Sequence, residues 1–550
     1  MGEFTEEEAR ILSPFVTNTD KNVFVLRNLP EVIKGALFSR YSRSTKSLRR
    51  LLLDEFIRDP QTGFSEIVNV DADKVEMKQA VQKAQAFYDR VLDGYGDDSV
   101  GELGGAHVAC EMISNLATKY LEDARIGGSP LEKSTRYVWF NQKVDGEFVF
   151  YREPKIMKSK FAKLYLETNN LLFQNYSDMV EPMMKFVEEN FPLNDFEFFD
   201  IEKKENMKFD RITDEKLKKR ASTAYNASVR AKACDVLRVL LPAATLTNMG
   251  MFGNGRFFQN LITKLYSQNL AELQELAKGI HEELNYSIPS FVRRANYDIY
   301  MAETRENMKK IAKEIVKEPV AKSESVKLVG YDKNEDEMIA TMLYPYSKQS
   351  MEQLLKIVKN LSDEEKEKII SMYMGERKNR RNRPGRALEN IYYTFDILAD
   401  FGIYRDLHRH RILTQERQPL TVIHGYTLPD EIIDAGFKKE FVDCMERAKD
   451  AYEKIYPEFP EEAQYVVPLA YKVRWYIKFN LREAFHFIEL RTSPQGHSSY
   501  RKISQIMFKE IEKVHPNLAR YMKFVDMNDY SLGRLKSELR KEEKRELLDK

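Results

Sequence analysis

Residues 386–413 read RALENIYYTFDILADFGIYRDLHRHRIL, and the character of the chain changes twice within them. Ile391–Ile397 mixes aromatic and β-branched side chains, the composition of a half-buried strand. Phe401–His410 spaces its apolar residues as a short helix does. The stretch closes on Arg409-His410-Arg411, which sets two guanidiniums and an imidazole at a helix end. Guanidiniums grip phosphate through paired hydrogen bonds, and an imidazole can donate beside them. Cations are also favoured at any solvated helix C-terminus, so the tripeptide alone fits a plain surface helix end as well.

Working outward, Asn480-Leu-Arg482-Glu-Ala-Phe-His486-Phe-Ile-Glu-Leu-Arg491 follows. At helical spacing Arg482, His486 and Glu489 share one face, while Phe485, Ile488 and Leu490 can pack. An ordinary amphipathic helix would read the same way. Upstream lies Glu132-Lys-Ser134-Thr-Arg136-Tyr137. If extended, alternation puts Glu132, Ser134 and Arg136 on one side. A carboxylate, a hydroxyl and a guanidinium in a row suit a nucleotide, and they equally suit an exposed strand edge.

The chain carries signs of an internal duplication. Pro242 is followed after twelve residues by Asn254-Gly-Arg256 and then Asn260; Pro468 is followed after twelve by Asn480-Leu-Arg482 and then His486. Gln79–Leu92, Lys155–Asn190 and Lys216–Leu241 read as helices. Tyr137–Phe140 and Phe148–Tyr151 around Asp145-Gly146 read as a hairpin. Ala321–Glu337, poor in apolar residues, is the expected linker, and Lys536–Lys550 a solvated helix end. The basic run Glu376–Arg386 suits a solvated loop or a loop that faces phosphate.

At 550 residues the chain expects several domains. Lys and Arg number 87 against 86 Asp and Glu. Bulk charge therefore gives no reason to expect nucleic acid or an acidic membrane as partner, and any phosphate site must be local. Three cysteines, Cys110, Cys234 and Cys444, build neither a disulfide framework nor a structural zinc site, and no metal is expected. The acidic N-terminus lacks a signal-peptide layout, and no apolar run approaches the ~18 residues of a membrane span. The expectation is a cytoplasmic protein.

In order and spacing these segments resemble the flavin-dependent thymidylate synthases, the ThyX family. Residues 386–413 are similar to its strand, helix and Arg-His-Arg block, and residues 480–491 to its C-terminal motif. DDSVGELGGAHVAC (97–110), SPLEKSTRYV (129–138) and DVLRVLLPAATLTNMGMFGNGRFFQN (235–260) resemble the same parts in the first half. The resemblance implies an α+β, helix-rich fold of two such halves, each a small antiparallel sheet flanked by helices. The halves would be residues 1–320, with a helical insertion near 155–220, and residues 321–550.

The departures from the family pattern divide between the halves. The first keeps Glu132, Ser134, Arg136 and Arg238, the last at the family's phosphate-binding position, but has Leu121-Glu-Asp-Ala-Arg125 in place of Arg-His-Arg, and Leu265 for the final arginine. The second keeps Arg409, His410, Arg411 and Arg491, but lacks the Ser-x-Arg pattern and has Gln464 at the phosphate position. In the family the nucleotide lies between subunits, so the resemblance implies one working site per chain, completed by both halves.

The implied reaction is methylation of dUMP to dTMP with methylenetetrahydrofolate, FAD and NADPH. Arg491 would be the catalytic cation at the uracil. Glu132, Ser134, Arg136, Arg238 and Arg409 would hold the nucleotide. Arg409, His410, Arg411, Asn480, Arg482 and His486 would contact FAD, with Asn254, Arg256 and Asn260 at a second flavin contact or serving only the helix architecture. Asp406 stands where the family usually has Gln. A homodimer of fused chains, a pseudo-tetramer, follows from the family's assembly. A diverged protein that binds flavin or nucleotide, without catalysis or acting on another pyrimidine nucleotide, is the alternative.

Overall fold

The structure, a computed structural model, describes residues 3–42, 44–58, 100–200 and 203–548. The expected helix Gln79–Leu92 and the start of the 97–110 segment lie outside them. In chain order the elements that matter below are β1 (Gly105–Ser114), α1 (Asn115–Glu122), β2 (Gly128–Glu132), α2 (Glu215–Leu237), β3 (Leu246–Asn254), α3 (Gly255–Tyr266) and α4 (Ile299–Ile315). They continue with β4 (Val326–Tyr331), β5 (Tyr392–Asp400), α5 (Phe401–Leu407), β6 (Thr414–Arg417), β7 (Lys472–Asn480), α6 (Leu481–Arg491), α7 (Ser498–Val514) and α8 (Leu535–Leu548).

The chain forms two compact units that take turns along the sequence. Unit 1 is residues 1–133 with 247–319, and unit 2 is residues 134–246 with 320–550. One change of unit falls between Pro319 and Val320. The packing adds two further crossings, because residues 134–246 find their contacts with the second half of the chain.

The fold is α+β and rich in helices, as expected, and the duplication is visible in it. Unit 1 holds a sheet in the order β1-β3-β2. Unit 2 holds β5-β7-β6 in the same relative order, with β4 added at the edge beside β5. All paired strands with a recorded register run antiparallel. In both units the central strand runs into a helix whose N-cap is the asparagine of the repeated motif. Asn254 Oδ1 accepts from Phe257 N at 2.8 Å, and Asn480 Oδ1 accepts from Glu483 N at 2.9 Å. A side-chain oxygen at that position satisfies one of the unpaired amides of the first turn. In unit 2 the inward face of the sheet pairs Trp475 with Ile397, Ile477 with Phe395 and Phe479 with Tyr393, all buried. This apolar face, alternating with period two, anchors α5 and α6 on fixed strand ends.

Several expectations shift. The strand at Ile391–Ile397 extends to Asp400, which then caps α5 by accepting from Ile403 N at 2.9 Å. The hairpin shrinks to Lys143–Val144 against Glu147–Phe148, because Asp145 and Gly146 both take positive φ and close a two-residue turn. The expected linker contains β4, an edge strand with a register shift between Leu328 and Gly330; its exposed positions hide it from a hydrophobicity reading. The insertion near 155–220 holds helices Ala162–Asp178 and Val180–Asn190, and adds a ribbon of Glu197–Asp200 with Glu205–Lys208.

Candidate functional site

Extended geometry ends at Glu132, the last residue of β2. Beyond it the chain turns, with Ser134 Oγ accepting from Arg136 N at 3.2 Å. The expected row of Glu132, Ser134 and Arg136 on one strand face therefore does not form. A serine hydroxyl bonded to the backbone two residues on offers the chain a turn in place of the strand ladder. Glu132 belongs to unit 1, where its carboxylate accepts from the buried ammonium of Lys119 at 3.1 Å and from Thr118 Oγ1 at 3.3 Å. Ser134 and Arg136 belong to unit 2.

Unit 2 gathers arginines from distant parts of the chain around two carboxylates. Arg136 grips Asp235 of α2 with Nε and Nη2 at 2.7 and 2.8 Å, and its Nη1 reaches the Tyr500 hydroxyl at 3.3 Å. Arg238, one residue past α2, donates to Asp406 Oδ2 at 2.8 Å and to the Gly402 carbonyl at 3.3 Å. The Arg238 side chain is 2% exposed, and its Nε, also buried, has no hydrogen-bond partner. Burial alone would raise the Asp406 pKa, but the fields of Arg238, Arg136 and Arg409 overcome it and hold the carboxyl well below the usual range. Asp235 is likewise held low against burial by Arg136 and Arg534. Both acids are thus anions, and the guanidiniums around them outnumber them.

Arg491 enters from the last turn of α6. Its Nε donates to His410 Nε2 at 3.0 Å, and its guanidinium lies 5.7 Å from the centre of the Tyr500 ring. Because His410 Nε2 accepts, Nδ1 carries the proton, and it donates to Glu483 Oε1 at 2.8 Å. Burial and then the Arg491 charge push His410 down to about 4, so the imidazole is neutral near pH 7. Burial lowers Arg491 too, while Tyr500 and Asp406 pull it back.

The other expected cofactor residues divide. Asn480, Arg482 and His486 line a small cavity of about 80 Å³ together with Arg377, Arg380 and Arg383 of the basic run. Arg482 also donates to Glu389 at 3.0 Å and to the Pro384 carbonyl at 2.9 Å. Arg377 is committed to Glu489 by a paired contact at 2.7 and 2.6 Å. Arg411 is exposed at the end of the Arg-His-Arg block. In unit 1, Asn254 serves as the α3 cap, Arg256 pairs with Glu102 at 2.8 Å, half-exposed, and Asn260 is exposed.

Asp235, Tyr500 and Arg534 carried no signal in the sequence, since each acts through partners hundreds of positions away or on another element. Arg534 donates to the Arg136 carbonyl at 3.1 Å and to Asp235 at 3.3 Å. His497 is buried; its Nδ1 accepts from Ser499 N at 3.2 Å and its Nε2 lies 3.2 Å from the Asp235 carbonyl. A larger cavity, about 300 Å³, is lined by Asp235, His497, Asp400 and Arg534, but by none of Arg136, Arg238, Arg409 or Arg491. No helix among the described residues is long and apolar enough to cross a membrane.

The sequence profile of a family described as thymidylate synthase complementing protein matches residues 57–290 and again 327–517. A UPF0159 protein of Chlamydia pneumoniae is 46% identical over 98% of both chains. A UPF0159 protein of Thermoplasma acidophilum is 36% identical over 92% of this chain and 98% of its own. A flavin-dependent thymidylate synthase of Clostridium tetani is 27% identical over 36% of this chain and 85% of its own.

Proposed function

The chain belongs to the thymidylate synthase complementing protein family, twice over in one polypeptide, and from that premise we propose that it is an FAD-dependent thymidylate synthase that methylates dUMP. One observation carries the reading. Arg238 from the first half binds Asp406 of the second, Arg136 binds Asp235 nearby, and the charges of Arg136, Arg409 and Arg491 are all felt at Asp406, within a single compact unit. Each half of the sequence lacks what the other supplies, and the assembled set has the excess positive charge that a nucleotide monophosphate requires.

In this reading Arg136, Arg238 and Arg409 hold the phosphate and base of dUMP, with Ser134 orienting the nucleotide. The unpartnered Nε of Arg238 is a donor available to an anion. Arg491 faces the uracil and stabilises negative charge there; a guanidinium keeps its proton and so acts by electrostatics. Neutral His410, braced by Glu483, positions Arg491 and adds no competing charge. Asn480, Arg482 and His486, with Arg380 and Arg383, are the donor set that fits the phosphates of FAD; their cavity takes a phosphate group, not the whole dinucleotide. When bound, the flavin supplies the hydride. Methylenetetrahydrofolate supplies the carbon, NADPH the reducing equivalents, and dTMP and tetrahydrofolate leave. Active chains would pair as a homodimer.

The test is purified protein with FAD, NADPH, methylenetetrahydrofolate and dUMP, scored for dTMP. Product in the full mixture, and none without the folate, supports the reading; dUMP that binds without turnover, or does not bind, defeats it. The Asp406 carboxylate favours one alternative, a pyrimidine nucleotide with an extra hydroxyl to donate, so UMP belongs in the same assay.

A further inference from the structure

Tyr500 is the third residue of α7 and is buried, 7% exposed. A Cβ on Gly496 would stand 2.8 Å from a ring carbon of Tyr500 and 2.9 Å from its hydroxyl. Only a bare Cα leaves room for the ring there, so the link into α7 is shaped around the phenol. Two guanidiniums converge on that ring from opposite halves of the sequence. Its centre lies 5.4 Å from Arg136 and 5.7 Å from Arg491, both within reach of a cation–π contact.

The hydroxyl has more capacity than the protein uses. A phenol oxygen accepts, and it has one proton to give. Arg136 Nη1 donates to it at 3.3 Å, and Arg491 draws support for its charge from the same side chain. The oxygen thus serves cations. Among the described residues no acceptor takes its proton. The nearby carboxylates are committed, Asp235 to Arg136 and Arg534, and Asp406 to Arg238. Buried hydroxyls rarely leave a proton unused, and a packing role for the ring calls for no hydroxyl at all. The missing acceptor is one that a ligand brings.

We propose that Tyr500 is a catalytic residue whose hydroxyl donates to the pyrimidine carbonyl oxygen on which negative charge gathers, beside Arg491. The inference rests on the proposed reaction and adds a second donor to it. Two adjoining cations polarise the O–H, and such a donor gains most when its acceptor becomes an anion. No proton leaves Tyr500: the hydrogen bond tightens as charge develops and relaxes as product forms. The benefit therefore falls on the transition state and not on the bound nucleotide.

Tyr500→Phe keeps the ring and removes only the hydroxyl. With FAD, NADPH, methylenetetrahydrofolate and dUMP, its kcat should fall ~10–100-fold, while the Kd for dUMP, measured by calorimetry, stays within ~2-fold. In an Arg491→Ala background the same change should lower single-turnover dTMP formation by a further ~5-fold or more. A Kd that weakens as much as kcat falls makes the hydroxyl a plain binding contact and overturns the inference. No further loss in the Arg491→Ala background overturns it equally, because Tyr500 then acts only through Arg491. A wild-type chain that turns over dUMP no faster than Tyr500→Phe leaves the reaction standing and sinks this inference alone. A wild-type chain without turnover sinks both.

Discussion

Arg491 owes its place to a relay of three side chains. Asn480 fixes the start of α6 through Glu483 N, Glu483 accepts from His410, and His410 accepts from Arg491. Arg491→Ala should lower dTMP formation by ~10²–10³-fold, as loss of a preorganised charge-stabilising donor does, with the thermal transition retained; near-normal turnover would remove Arg491 from the chemistry. The relay also makes a statement about pH. His410 is pushed down to about 4 from an ordinary value of 6.5 by burial and by Arg491. As pH falls, the unfolded chain takes up its proton first. The stabilising contribution is therefore full above pH 6.5 and drains away toward pH 4, on the order of 3 kcal/mol at most. His497, pushed down to about 3 by burial and Arg238, works in the same direction. Denaturant midpoints measured from pH 7.5 to 4.5 should fall, and His410→Gln should flatten the slope. Asp406→Asn should have effects of opposite sign. Calorimetric stability should drop by ~3–5 kcal/mol, since Arg238 loses its buried partner, while titration should show tighter dUMP binding, because the arginines no longer share their charge with a carboxylate.

At the scale of elements, the strand-cap-helix block repeats, but its two copies do different work. Asn254→Ala and Asn480→Ala should each cost ~1 kcal/mol, the worth of a lost cap, read as a shift in the denaturation midpoint. Asn480→Ala alone should also slow turnover, because its cap holds the turn that carries Glu483. Sequence periodicity located these blocks, since the forces that set them are local: an alternating apolar strand, an asparagine, then an amphipathic helix. It could not locate the bend at Ser134–Arg136. There a hydroxyl-to-amide bond and a carboxylate 99 positions away decide the backbone, and no local propensity registers either. β4 escaped for a different reason: an edge strand exposes most of its side chains, so its sequence reads as a link. Asp235 and Arg534 lie in unremarkable helical or charged sequence, and only the folded contact gives them a role.

On the scale of the molecule, the unequal halves imply unequal binding. Isothermal titration should find one dUMP per chain: Glu132 in unit 1 is already committed to Lys119 and Thr118, and the Arg-His-Arg cluster occurs once. Two equivalent sites per chain would contradict the split arrangement. The alternation of the units along the sequence bears on synthesis. By the time residue 319 has left the ribosome, every residue of unit 1 exists, but residues 134–246 belong with residues 320–550, which are not yet made. At roughly 5–20 residues per second, α2 and its apolar face wait on the order of ten seconds or more for their partners. During that interval a nascent chain carries Arg136, Asp235 and Arg238 of its future site with nothing to close over them. Chaperone supply should therefore govern yield, and the gene cannot be cut at the midpoint into two pieces that each fold alone.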